Sequence, residues 1–112
     1  MSIKQMMSVF ENAISGTKVC WMRDERTVRA SVMVIIPESN KRAAVAECSR
    51  RMAARARRTA EREAMRIGHV MSTGVFMRGE CNGSVNAIGI ADLELTPEIE
   101  RRLSVSGIPQ VH

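Results

Sequence analysis

At 112 residues, 45% hydrophobic and 26% charged, the chain has the composition of one globular domain and no room for two. No stretch approaches the roughly 20 apolar residues that span a bilayer, and Met1 to Gly16 has no continuous apolar run of signal-peptide type. Cys20, Cys48 and Cys81 are isolated and odd in number, which argues against a disulfide framework or a zinc site and for free thiols in a reducing cytoplasm.

Ile3, Met6, Met7, Phe10 and Ile14 recur at three- and four-residue steps, so residues 1–16 read as a short amphipathic helix ended by Gly16. The pattern then changes to a hairpin over 17–36. Its second strand is the clearest in the chain: Val28, Ala30, Val32, Val34 and Ile36 alternate with Arg29, Ser31, Met33 and Ile35. Asp24 and Glu25 mark the turn, and Pro37 ends the strand.

Ser39 and Asn40 offer N-caps, and neither Gly nor Pro follows until Gly68. Rich in Ala, Arg, Glu and Met, residues 39–67 read as one long basic helix. Val45, Cys48, Met52, Ala53, Ala56, Ala60 and Ile67 form its apolar arc, interrupted by Arg42 and Glu63. Arg51, Arg55, Arg58, Arg62 and Arg66 fall within about 80° of one another on another face.

A second hairpin, 69–95, surrounds Asn82-Gly83, the dipeptide preferred by a two-residue type I′ turn. Counting outward sets Met77 opposite Ile88, Val75 opposite Ile90 and Phe76 over Gly89. Thr96, Pro97, Glu98 and Glu100 then open a short helix over 96–106, leaving 107–112 as a loose tail. The expected fold is a single α+β domain: helix, strand, strand, long helix, strand, strand, short helix. Its hairpins join one four-stranded antiparallel sheet packed against the Arg/Ala-rich helix.

Residues 41–66 hold nine of the seventeen basic residues and three of the twelve acids, so this one helix supplies essentially all of the formal +5. Arg outnumbers Lys fourteen to three, and guanidinium groups pair bidentately with phosphate or carboxylate. The row Arg51, Arg55, Arg58, Arg62 and Arg66 therefore points to an anionic partner, either nucleic acid through its duplex backbone or an acidic protein. A solvated helix face is the bland alternative, with Glu47 and Glu61 placed to partner Arg51, Arg58 and Arg62. Only Phe10, Phe76 and Trp21 are aromatic, which disfavours stacking on single strands.

Catalytic candidates are sparse. His69 opens a strand, Asp92 interrupts an apolar strand opposite Thr73, and Cys81 lies in a turn. No phosphate-binding glycine loop or paired-histidine motif accompanies them. The expectation is a non-enzymatic cytoplasmic binding protein without cofactor or metal. The alternative is a small self-assembling structural or regulatory protein, of the accessory kind found in phages and mobile elements, with an acidic protein partner. Such a homodimer would use a sheet face formed by Met33, Ile35, Met71, Val75, Met77, Ile88 and Ile90.

Overall fold

The computed structural model describes residues 19–24, 26–36, 46–79 and 85–112. The expected helix over 1–16, the start of the long helix, Cys81 and the Asn82-Gly83 turn lie outside them. The described elements are β1 (Val19–Asp24), β2 (Arg29–Ile36), α1 (Ala46–Met65), β3 (Val70–Gly79), β4 (Val85–Glu94), α2 (Pro97–Val105) and β5 (Gln110–Val111). The domain is α+β, with both helices contributing to one side of a single sheet.

Among the described residues the sheet has five strands, which corrects the expectation of four, in the order β3-β4-β2-β1-β5. It is not wholly antiparallel either, because β5 runs parallel to β1. Residues 107–112 are thus no loose tail. Gly107, at φ +84°, turns the chain after α2, and the Trp21 amide donates to the Pro109 carbonyl at 3.0 Å. Val111 then packs with Cys20 and Met22, only 2% exposed.

The alternation of β2 sends Ala30, Val32 and Val34 into a core with Trp21, Ala91, Leu93, Ala60, Ala64, Ile67 and Leu103. Cys20, Met22, Met33, Ile88, Ile90 and Val111 form a second buried cluster on the opposite side of the sheet. No described helix contributes to that second cluster.

The register of β3 and β4 differs by one residue from the count made from Asn82-Gly83. Met77 pairs with Ala87, Phe76 with Ile88 and Val75 with Gly89. A one-residue slip turns side chains to the other face. Val75 accordingly joins Met52, Ala56 and Ala87 beside α1, while Phe76 packs with Ile88 and Ile90. The ladder is described as far as Gly79–Val85, and residues 80–84 lie outside the described set. Ala87, Gly89 and Ala91 face α1 in either register; the one that forms sets Val75 rather than the bulkier Phe76 beside Gly89. A Cβ on Gly89 would stand 2.0 Å from the Ala56 carbonyl oxygen, so backbone here lies directly against backbone.

The start of α2 follows its sequence signals. The Ile99 amide donates to the Thr96 hydroxyl at 3.2 Å, Pro97 opens the helix, and Glu98 and Glu100 occupy its first turn. Arg102 donates to Glu98 at 2.6 Å and to the Ile67 carbonyl at 2.9 Å, tying α2 to the end of α1.

Candidate anion-binding face of the long helix

The described part of the long helix, Ala46–Met65, is uninterrupted. Met52, Ala56, Ala60 and Ala64 step by four and are buried against the sheet. Ile67 extends that buried line into the closing turn, where the Ile67 and Gly68 amides both donate to the Ala64 carbonyl. The helix therefore stops two residues short of the expected end, and Arg66 stands in the turn.

Arg51, Arg55, Arg58, Arg62 and Arg66 are all exposed, as are Arg50 and Arg57. At 1.5 Å per residue the row of five spans about 22 Å. Glu63 lies 3.5 Å from Arg66, and Arg51 is also engaged. Neither Arg58 nor Arg62 forms the expected pair with Glu61 among the described residues. Arg55, Arg58 and Arg62 thus lack an ion-pair partner within that set. Within α1 the row contains three like-charge neighbours at i,i+3 or i,i+4, and each destabilises a helix by about 0.2–0.5 kcal/mol. Together they cost folding about 1 kcal/mol, which a bound polyanion would relieve.

The other candidates are dispersed. His69 is exposed beside an open depression lined by Glu61, Met65, Gly68 and Val70. Asp92 pairs with Ser72, not with Thr73, and its carboxylate accepts from the Ser31 hydroxyl at 2.6 Å and the Ser72 hydroxyl at 2.9 Å. Arg29 lies 3.8 Å from the same carboxylate. This three-strand cluster was not legible beyond Asp92 itself, since only the ladder brings Ser31 and Ser72 together. Cys20 is fully buried, and burial pushes its thiol up to about 12, which leaves almost no nucleophilic thiolate at neutral pH. The side chain of Cys48 lies outside the described residues.

The residues expected to form a self-association face are divided. Met33, Ile88 and Ile90 are buried together, and Ile35 packs at their edge. Val75 lies on the helix side, and the exposed Met71 and Met77 both belong to β3. Among the described residues no cluster of His, Cys, Asp or Glu is arranged to hold a metal ion, and no helix is long and apolar enough to cross a membrane. No protein-family model matches the chain, and neither a curated protein nor a solved structure does.

Proposed function

We propose that the protein is a non-enzymatic binding protein that lays an anionic partner, the backbone of duplex nucleic acid, along Arg51, Arg55, Arg58, Arg62 and Arg66. The observation that carries this reading is a one-sided distribution of charge. Four exposed guanidinium groups, those of Arg51, Arg55, Arg58 and Arg62, share one face of α1 away from the alanines that fix the helix to the sheet, and exposed Arg66 follows in the closing turn. Over about 22 Å of axis a duplex carries roughly 13 phosphate charges, ample for five guanidinium contacts. An α-helix held by packing loses little freedom on binding, so the row is pre-organised.

The reading makes a quantitative demand on salt. Neutralising Z phosphates gives a slope of about −0.9Z in log K against log salt. With three to five arginines engaged, the expected slope lies between about −3 and −4.5. Filter binding of a generic duplex across a salt series measures it. Replacing Arg55, Arg58 and Arg62 with Gln should flatten the slope by about 2.7 and weaken all sequences alike. Absence of binding at low salt, or an unchanged slope in the triple variant, rejects the proposal.

A further inference from the structure

The arginine row ends at a hollow. Where the end of α1 meets the last turn of α2, a depression of about 250 Å³ is lined by Arg66 and Arg102, by Glu63, and by the apolar side chains of Ile67, Val105 and Ile108. Three features of the chain shape it. The Ile67 and Gly68 amides donate to the Ala64 carbonyl and close α1 there. Leu103, fully buried, holds α2 against the core. Gly107, at φ +84°, then turns the chain so that Ile108 packs on that core as well.

The two cations of the hollow are held differently. Arg102 donates to the Ile67 carbonyl at 2.9 Å and to Glu98 at 2.6 Å, which fixes its guanidinium in place. A guanidinium has five N–H donors, so most of those on Arg102 remain for a ligand. Arg66 has the Glu63 carboxylate at 3.5 Å, with 73% of its own side chain exposed, and is free to swing toward a bound anion. Ser106 also reaches the lining, but its hydroxyl is engaged: it donates to the Leu103 carbonyl and accepts from the Ile108 amide. Recognition of an anion therefore falls to the two arginines.

These groups select a ligand. One guanidinium fork satisfies both oxygens of a carboxylate, whereas two forks on one ligand need at least three acceptor oxygens. A phosphate monoester supplies three, with close to two negative charges at neutral pH. That charge also outcompetes the single charge of Glu63 for Arg66. The apolar lining suits the carbon stem of an ester, and the volume lies just below the roughly 300–1,000 Å³ of ordinary small-molecule pockets, so the stem is short.

We propose that the hollow between α1 and α2 binds a phosphate monoester through Arg66 and Arg102, with the carbon stem on Ile67, Val105 and Ile108. Two sources share this chemistry: the terminal phosphate of a nucleic-acid strand laid along the row, and a free phosphorylated small molecule. Only the first rests on the anionic-partner reading.

Titration of glycerol phosphate into the isotope-labelled whole chain, followed by amide chemical shifts, tests the site, with acetate and glycerol as controls. Saturable shifts confined to residues 63–68 and 102–108 are expected, with a dissociation constant on the order of 1 mM and no comparable response to either control. Arg66→Gln should weaken binding about tenfold. Val105→Glu, at a position 81% exposed, puts a carboxylate into the hollow and should abolish binding with an unchanged circular dichroism spectrum. The proposal is overturned by the absence of saturable shifts, by equal shifts with acetate, or by shifts spread evenly along Arg51, Arg55, Arg58 and Arg62. Indifference to both folded variants overturns it too. Duplexes with and without a terminal phosphate separate the sources. A preference for the phosphorylated duplex that Val105→Glu removes assigns a strand end; equal binding of both, while glycerol phosphate still enters the hollow, assigns a free molecule. Duplex binding with the expected salt slope but no glycerol phosphate binding rejects only the monoester site, and the reverse rejects only the anionic-partner reading.

Discussion

Replacing Gly89 with Ala should be among the most damaging single-methyl additions the domain can suffer. The new Cβ would lie 2.0 Å from the Ala56 carbonyl oxygen, 2.3 Å from its carbon and 2.8 Å from the Arg57 amide nitrogen. All three are backbone atoms of α1, so no side chain can swing aside and the helix itself must lift. Over-packing of this kind costs about 1–3 kcal/mol, and a rigid neighbour places it at the upper end. Removing glycine from a strand interior returns roughly 0.5–1 kcal/mol of that. The net loss is therefore about 2 kcal/mol, which for 112 residues at about 2.1 cal/mol/K per residue lowers Tm by about 8 °C. Thermal denaturation followed by circular dichroism measures it, with Gly74→Ala as the matched control because nothing stands within 4 Å of that position. The control should be neutral or slightly stabilising. A Gly89→Ala chain as stable as wild type, or a control equally damaged, would refute the close seating of α1 on β4.

Three further outcomes follow from local chemistry. Val28 holds φ at +53° in the turn between β1 and β2 while 58% exposed, a conformation costly for a β-branched residue, so Val28→Gly should stabilise the fold by about 1 kcal/mol in urea titration. In a chain carrying Cys48→Ser and Cys81→Ser, Cys20 should resist alkylation at pH 8 until the protein unfolds, because a thiol near 12 is only about 10⁻⁴ ionised there. The folded thiol's value is raised, so its contribution to stability is fully present below the unfolded value of about 8.5 and lost as pH climbs from there toward 12. Asp24 behaves with the opposite sign. Desolvation pushes its carboxyl up, but the Thr27 hydroxyl and the Arg26 and Thr27 amides together outweigh that and hold it below the usual value. Its contribution is present above about pH 4 and disappears as pH falls through the lowered value, so Asp24→Ala should flatten the acid limb of a stability–pH curve.

What could be read from the residues alone was local. The alternation of β2, the Thr96-Pro97 helix start and the arginine row each depend on spacing within one element, and spacing is written directly in the chain. Pairing is not. β5 is two residues long and parallel to a strand almost ninety positions earlier, so no periodicity announces it. The β3–β4 register is a question of pairing too: counting from Asn82-Gly83 puts Phe76 beside Gly89, whereas the ladder puts Val75 there and turns Phe76 to Ile88 and Ile90. Either register leaves Ala87, Gly89 and Ala91 under α1; the counted one would set the bulkier Phe76 beside Gly89, where the helix backbone lies closest, in place of Val75. The Asp92 cluster escaped for the same reason, since its two serines belong to different neighbouring strands.

The small residues of β4 explain how the arginine face is held. A helix whose buried line is Ala56, Ala60 and Ala64 can approach a sheet closely only where the sheet also offers alanine and glycine. Close approach leaves little room for the helix to roll, and its rotation fixes where the guanidinium groups point. Bulkier residues at those positions would hold α1 by flexible side chains and let the row wander. Close seating through alanine and glycine therefore fixes the orientation of the arginine-bearing face of α1 relative to the sheet.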